Sequence, residues 1–344
     1  MKYFSSFFIF CFISIFIFYS CKTDFDVNAK WKDITVVYGL LNQNDSLHLI
    51  KVNKAFLGNE DAYVMASHSD SINYNNISVS LEQWLNNSLV KTIILDSTTE
   101  FKKDTSGIFA TDNNIIYKTS EVLDPESEYK LIVNIPGKQP ITSTTKLISG
   151  LTVNHPFNLN SEQINFGKTP YSVEWKSTAN AKLYELTIRF YYYEILNGDT
   201  TLHHLDWVQE SKISINTDGG EKMTMGISGE SFYQFIASKL YPNYDLSFKR
   251  VVRKNALDFI FMVGGDDLNT YIEVNRPSNT IVQEKPAFTN ISNGIGIFSC
   301  RFDKTIKDKE LKNSTIDSLH NGRFTKNLQF LDYAETYQLW NTLK

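Results

Sequence analysis

The chain has 344 residues, with 34 lysines and arginines against 38 aspartates and glutamates, for a formal net charge of −4. This balance lacks the basic excess that neutralises nucleic-acid phosphates, so no nucleic-acid partner is expected. Hydrophobic residues make up 42% of the chain, which is enough for an ordinary core and excludes global disorder. The length suits about two domains.

The first residues carry a targeting signal. Lys2 precedes an uncharged, mostly apolar run that ends at Ser20 and Cys21, and this pattern predicts a secretory signal peptide over residues 1–20. The cysteine directly after the cut resembles the signals of Bacteroidetes lipoproteins, and the resemblance implies lipidation of Cys21. The alternative is an uncleaved transmembrane anchor, because a run of about 17 apolar residues lies near the lower limit for crossing a bilayer.

Residues 21–32 are interpreted as a tether. The polar, acidic start of this segment resembles the surface-export signals of the same lipoproteins, which implies an outward-facing position on the outer membrane. After cleavage and lipidation Cys300 is the remaining thiol, so no internal disulfide can form. Cys300 lies in an apolar stretch and is predicted to be a small buried hydrophobic residue and not a nucleophile.

Residues 33–149 show strand periodicity and are predicted to form an N-terminal β-sandwich. Asn86 and Asn87 predict a hairpin turn, because asparagine tolerates positive φ. Leu123, Pro125 and Tyr129, followed by alternating apolar residues, resemble the tyrosine corner of immunoglobulin-like sandwiches. A plain surface turn is the alternative. The predicted strands include 34–41, 47–52, 77–84, 89–95 and 141–147.

Residues 150–303 are predicted to form a second β-sandwich. Trp175 and Tyr184 resemble the core tryptophan and the following tyrosine of fibronectin type III domains, and Asn197 and Gly198 predict a hairpin turn. Helical periodicity over 232–240, with Ser228 or Ser231 as a cap, and a short helix over 268–274 predict helical insertions. The fold class is therefore mostly β, with two tandem immunoglobulin/fibronectin-III-like β-sandwich domains. Residues 304–344 form an aromatic C-terminal tail, either a peripheral helix or a docking segment.

A glycine-containing motif near residue 290 carries a family resemblance. It is similar to the closing segment of a family of Bacteroidetes outer-membrane lipoproteins of unknown function, which often accompany TonB-dependent transporters. The resemblance implies an accessory role at the cell surface and provides no catalytic residues. The two glycines of the motif allow positive φ or close backbone approach. The motif residues are Asn290, Ile291, Asn293, Gly294, Gly296 and Phe298.

No residue pattern indicates catalysis, a metal or a cofactor. His203 and His204 point to opposite sides of a strand, and His204 with Asp206 would give only two ligands. The pair at 266–267 lacks the alternating ligand series of a calcium loop and is interpreted as a helix cap. The chain is therefore expected not to be an enzyme; a hydrolase is the weakest alternative, because no nucleophile and base converge.

Tyr191 and Tyr193 are the candidate recognition residues, because on a strand they share one face. They either form an exposed aromatic platform or belong to the core and to a cross-strand aromatic ladder, which we favour. The leading functional hypothesis is a non-enzymatic surface lipoprotein that docks on a TonB-dependent β-barrel transporter in nutrient capture. The alternative is a glycan- or peptide-binding module that uses exposed aromatic rings.

Overall fold

A computed structural model describes residues 34–55, 62–104, 106–107, 109–158, 162–276 and 287–343. Cys21, the signal peptide and the tether lie outside this described part. The described residues form a mostly β protein with several mixed or antiparallel sheets and a few short helices, as the periodicity predicts. None of the helices in these ranges is long and apolar enough to cross a membrane. The helices are α1 (Ala62–Ala66), α2 (Ser69–Ile72), α3 (Gly229–Lys239), α4 (Asp266–Asn275), α5 (Asn313–Asn321) and α6 (Tyr333–Leu339).

The strands alternate buried and exposed residues along much of their length, which gives each sheet an apolar face. They are β1 (Ile34–Leu41), β2 (His48–Ala55), β3 (Ser78–Leu85), β4 (Ser88–Ile94), β5 (Asp96–Thr98), β6 (Ile116–Thr119), β7 (Glu128–Asn134), β8 (Ile141–Lys146), β9 (Thr152–His155), β10 (Gln163–Ile164), β11 (Tyr171–Lys176), β12 (Leu183–Leu196), β13 (Asp199–Val208), β14 (Lys212–Ile213), β15 (Lys222–Ile227), β16 (Lys249–Gly264) and β17 (Ile295–Leu311).

A ten-stranded sheet runs through both halves of the chain in the order β13-β12-β16-β17-β1-β2-β6-β5, with β10 beside β17 and β14 beside β12. The long strand β17 makes this connection. Its first residues pair in parallel with β1, from Val36 opposite Ile295 to Leu41 opposite Cys300. Its later residues pair antiparallel with β16. The first and last parts of the chain therefore share one hydrogen-bonded sheet.

The N-terminal half adds a four-stranded sheet in the order β4-β3-β7-β8. The start of β7 has the geometry of a tyrosine corner: the backbone N–H of Asp124 donates to the hydroxyl of Tyr129 at 2.7 Å. Tyr129 is fully buried, and burial raises the pKa of its hydroxyl to about 12. The predicted tie between this tyrosine and the preceding loop is confirmed.

The C-terminal half adds a three-stranded sheet in the order β15-β11-β9. Trp175 on β11 is buried and contacts Tyr184 on β12 and Phe261 on β16, with ring centroids 6.0 and 5.7 Å apart. This sheet therefore packs its apolar face on the ten-stranded sheet. The hydroxyl of Tyr184 accepts from the backbone N–H of Thr178 at 2.9 Å, which repeats the tie made by Tyr129.

The predicted turns and helices are present with small shifts of their ends. Asn86, Asn87, Asn197 and Gly198 all have positive φ and join β3 to β4 and β12 to β13. Helix α3 begins at Gly229, before the predicted start, because the hydroxyl of Ser228 accepts from the N–H of Ser231.

The C-terminal residues belong to the core. Strand β17 runs across residue 303, where the sequence analysis ended the second unit, and continues to Leu311. Ile316 and Leu319 of α5 are fully buried. Phe330, in the connection to α6, is almost fully buried. The tail is therefore packed structure in its described part, and the boundary at 303 falls within a strand.

Candidate functional site

The motif at 290–298 joins the two ends of the chain. The side-chain amide of Asn290 pairs with the backbone of Phe298 in both directions: Nδ2 donates to the carbonyl at 2.7 Å, and Oδ1 accepts from the N–H at 3.0 Å. The same Nδ2 also donates to Asp267 at 2.8 Å, at the start of α4. Ile291 and Phe298 are buried. These contacts connect the motif to the start of α4 and to β17.

Two glycines of the motif allow this junction to close. A Cβ on Gly294 would lie 2.9 Å from the carbonyl oxygen of Thr35. Gly296 has φ +115°, and a Cβ there would lie 2.0 Å from the carbonyl oxygen of Val37. Asn293 takes φ +60° and donates to the carbonyl of Pro140 at 2.9 Å. The pattern of Asn and Gly thus follows from the close approach of the motif to β1 and β8.

The structure does not bring Tyr191 and Tyr193 together as an exposed platform. Tyr193 is only 7% exposed, although Tyr191 is half-buried. The pairing of β12 with β16 shifts register between Phe190 and Tyr192, and this bulge places Tyr192 and Tyr193 in succession inside. These positions do not fit the exposed-platform alternative, which requires an unbroken alternation, and they fit the favoured alternative of core and cross-strand ladder better.

The polar partners of Tyr191 also point to a structural role. Its hydroxyl donates to Asp258 at 3.1 Å, and the guanidinium of Arg253 lies 5.1 Å from the ring centre. Asp206, once considered with His204 as a metal pair, instead accepts two hydrogen bonds from Arg189 at 2.6 and 2.8 Å. These polar contacts cover the outer face of the β12–β13 hairpin.

The remaining chemical candidates are occupied structurally. Cys300 is buried and donates to the carbonyl of Lys146, and burial raises the pKa of its thiol to about 11. Asp267 holds Asn290 and makes no cap, since the N-cap of α4 is Gly265 with no side-chain bond; the cap expectation is corrected. No group of three metal-ligating side chains is found in the described residues.

One acid–base pair is present beside β11. His155 and Glu162 approach to 2.7 Å, and the hydroxyl of Tyr171 donates to the same carboxylate at 2.9 Å. The other ring nitrogen of His155 lies 2.5 Å from the carbonyl oxygen of Ser172. Both ring nitrogens are thus engaged, which makes the pair a connection between β9, β11 and the segment before β10.

Three strongly exposed large hydrophobic side chains lie on the loop 241–246, between α3 and β16. Tyr241, Tyr244 and Leu246 are 80%, 91% and 100% exposed. We call this segment the tyrosine loop. Isolated surface hydrophobic residues are ordinary, but three large ones within six residues form a concentrated apolar projection.

Hydrogen bonds fix the tyrosine loop at its centre. The side chain of Gln329 grips the backbone of Asn243, accepting from its N–H at 3.2 Å and donating to its carbonyl at 2.6 Å. Asp245 accepts from the backbone N–H and the hydroxyl of Ser247 at 2.8 and 2.7 Å, and these bonds lower the pKa of its carboxyl. The hydroxyl oxygen of Ser247 also lies 2.9 Å from the side-chain oxygen of Asn197, at the tip of the β12–β13 hairpin.

A buried arginine supports the base of this loop. Arg250 is 5% exposed and donates to Glu194 at 2.9 Å, to the carbonyl of Leu328 at 2.7 Å and to that of Tyr241 at 3.2 Å. It therefore joins the loop to β12 and to the C-terminal segment. A loop held this way loses little conformational entropy when a partner covers it.

Sequence reasoning missed the tyrosine loop. Pro242, Asn243 and Asp245 are typical turn residues after a helix, so a loop could be inferred there. The exposure of its apolar side chains could not, since nothing local distinguishes Tyr244 from the buried Tyr193.

Comparisons with known proteins assign no family. No protein-family model matches the chain, and no curated protein shows significant similarity to it. One solved structure with distant similarity is the C-terminal globular domain of an oligosaccharyltransferase from Pyrococcus abyssi, at 10% identity and a TM-score of 0.24. The match covers 67% of this chain and 47% of that one, so less than half of that structure is spanned. A similarity at this level carries no inference about function.

Proposed function

We propose that this protein is a non-enzymatic lipoprotein, anchored to the outer membrane through Cys21 and facing outward. In this proposal it docks on a TonB-dependent β-barrel transporter and assists nutrient capture. The observation that carries the docking role is the tyrosine loop, an apolar projection whose backbone is fixed by Gln329 and Arg250. The transporter as partner rests on the family resemblance of the motif at 290–298.

The physical properties of the loop suit a protein interface. Aromatic side chains each bury about 150–250 Å² when covered and are enriched at binding hot spots. Tyr241 and Tyr244 offer such rings, and Leu246 extends the apolar area between them and the next strand. Because the loop is already ordered, most of this burial would stabilise the complex.

The anchor would hold this surface close to the membrane. The 12 residues between Cys21 and Ile34 span at most roughly 40 Å when fully extended. Several acyl chains on one cysteine anchor a protein stably, whereas one chain holds it marginally. A transporter in the same membrane then meets the protein at a high effective concentration.

We further propose that the fold consists of two tandem immunoglobulin/fibronectin-III-like sandwiches. The ties made by Tyr129 and Tyr184 support this, because such corners are typical of these sandwiches. So does the buried Trp175 between two sheets. Strand β17, shared by both halves, would then be the element that couples them.

Glycan binding is a second candidate, now favoured by the exposed rings of Tyr241 and Tyr244. Stacking on sugar rings requires the tyrosines and not the neighbouring leucine. A glycan array with Tyr244→Ala and Leu246→Ala separates the two functions. Loss of a glycan signal only with Tyr244→Ala supports glycan binding, whereas protein docking should weaken with both.

The main test is crosslinking on intact cells with a C-terminally tagged protein. A variant with Tyr241, Tyr244 and Leu246 all changed to serine is expected to lose a TonB-dependent barrel that the wild type captures. The matched control changes Ile94, Val122 and Ile215 to serine, since these side chains are also 65%, 83% and 82% exposed. No captured barrel with the wild type, or equal capture by the triple variant, would contradict the proposal.

A further inference from the structure

A second feature, distant in sequence from the tyrosine loop, is a cavity on the outer face of β1 and β2. Its volume is about 680 Å³, a size that suits a small organic ligand. The apolar part of its wall comes from Val36, Tyr38, Ile72 and Phe109. We call this feature the lysine cavity, because Lys51, Lys54 and Lys103 also line it.

The cavity lies on a face of this sheet to which β1 contributes apolar side chains and β2 contributes polar ones. Val36 lies opposite Asn53 and Tyr38 opposite Lys51 in the antiparallel pair of β1 and β2. The inner face, with Val37 and its neighbours, is fully buried. Tyr38 remains 45% exposed on the outer face, so part of this apolar wall faces solvent in the described structure.

Among the described residues the three lysines hydrogen-bond to uncharged oxygens, and Lys54 also lies 5.2 Å from the centre of the Tyr74 ring. Lys51 donates to the side chain of Asn114 and to a backbone carbonyl, both at 2.7 Å. Lys103 donates to the carbonyl of Ala110 at 3.0 Å, and Lys54 to that of Asp70 at 3.1 Å. None of these ammonium groups forms an ion pair with a described carboxylate.

Among the described lining residues the charge balance is therefore positive. Asp104 is the carboxylate among the described lining residues, and the N–H of Ser106 already binds it at 2.9 Å. Burial lowers the pKa of Lys51 to about 8, and the nearby charge of Lys103 contributes. Burial also lowers the pKa of Lys103, against the attraction of Asp112. A bound anion would remove this mutual repulsion.

We propose that the lysine cavity binds a small amphipathic monocarboxylate, with its apolar body on Val36, Tyr38 and Phe109 and its carboxylate at Lys51 and Lys103. An apolar neutral ligand would leave the lysines without a counter-charge. A polar polyanion would lose the hydration of its charged groups against the apolar wall with no compensating contact. The inference stands apart from transporter docking, because it concerns a different surface.

The test uses octanoate as the probe, titrated by calorimetry into the full-length protein in lipid nanodiscs, with empty nanodiscs as the blank. Saturable octanoate binding is expected, with acetate, octylamine and inorganic phosphate each at least tenfold weaker. Acetate or phosphate binding as tight as octanoate would overturn the apolar part of the proposal. No saturable octanoate binding would overturn it entirely.

The decisive variant is Lys103→Glu. It should weaken octanoate at least tenfold and make octylamine the tighter ligand, a reversal that a purely structural lysine would not produce. Lys326→Glu, on an exposed position outside the cavity, is the matched control and should change neither affinity. If Lys103→Glu does not fold, Lys103→Gln should still weaken octanoate several-fold. Equal losses for the control and either cavity variant would refute the assignment.

Discussion

The Gly296→Ala substitution tests the junction that makes β17 the common strand of both halves. Gly296 lies opposite Val37 in the parallel pairing of β1 and β17. An added Cβ would lie 2.0 Å from the carbonyl oxygen of Val37, where ordinary contact begins at 3.4 Å. The added Cβ would be attached to the backbone of β17, and the carbonyl oxygen of Val37 belongs to the backbone of β1. Because neither atom lies on a flexible side chain, β1 must shift by about 1.4 Å.

The expected loss of stability has three parts. Positive φ costs an alanine about 1–2 kcal/mol. Forcing a Cβ into occupied space costs about 1–3 kcal/mol more. Reduced entropy of the unfolded chain returns about 0.4–1 kcal/mol. We therefore expect Gly296→Ala to lower the free energy of unfolding by about 1–5 kcal/mol and the melting temperature by about 2–7 °C.

Two other glycines separate the contributions. Gly220 has φ +85° with no atom within 4 Å of an added Cβ, so Gly220→Ala measures the cost of positive φ by itself. Gly150 has neither constraint, and Gly150→Ala should change the free energy of unfolding by less than about 1 kcal/mol. The assay is thermal and urea unfolding followed by circular dichroism.

The order of the three melting temperatures decides the matter. We expect the highest melting temperature for Gly150→Ala, a lower one for Gly220→Ala and the lowest for Gly296→Ala. If Gly296→Ala has the same melting temperature as Gly220→Ala, the backbone of residue 296 does not approach Val37 closely. If Gly296→Ala has the melting temperature of the wild type, the parallel pairing of β1 and β17 at this position is refuted.

Three further predictions concern other parts of the structure. Tyr129→Phe should lower the free energy of unfolding by about 1–2 kcal/mol, because the N–H of Asp124 loses its acceptor; thermal melts measure this. Arg250→Met should cost about 2–3 kcal/mol by urea unfolding, since it strands the carboxylate of Glu194, which is partly solvated. Octanoate affinity, measured by calorimetry between pH 7 and 9, should fall as pH rises through about 8, because Lys51 then loses its proton and its charge. Unchanged melts for the first two variants, or an affinity that rises with pH, would contradict these assignments.

The features that could be predicted from the sequence depend on neighbours along the chain. Asn197 and Gly198 adopt positive φ in a two-residue turn whatever the rest of the fold does. Tyr129 meets the backbone of Asp124 across five residues, so its spacing alone suffices. The strand at 34–41 was predicted with its observed ends, because β-branched residues fill it.

Tyr191 and Tyr193 form no shared exposed face, and the reason is tertiary. Tyr191 and Tyr193 share a face only on a regular strand, and the bulge against β16 reverses that alternation. Whether a strand carries a bulge is decided by its partner, and the partner of β12 is not visible in its own sequence. The exposure of the Tyr241 and Tyr244 rings could not be predicted either, because the burial of a residue depends on which distant segments pack over it.

The sequence by itself thus determined the β-rich class, the local turns and the tie between Tyr129 and the preceding loop. Only the tertiary structure decided that β17 joins β1, at the opposite end of the chain, in one sheet. It also decided where apolar and cationic side chains meet on the outer face of β1 and β2. Local preferences act over a few residues, whereas sheet pairing and surface composition depend on contacts between distant segments that no single stretch encodes.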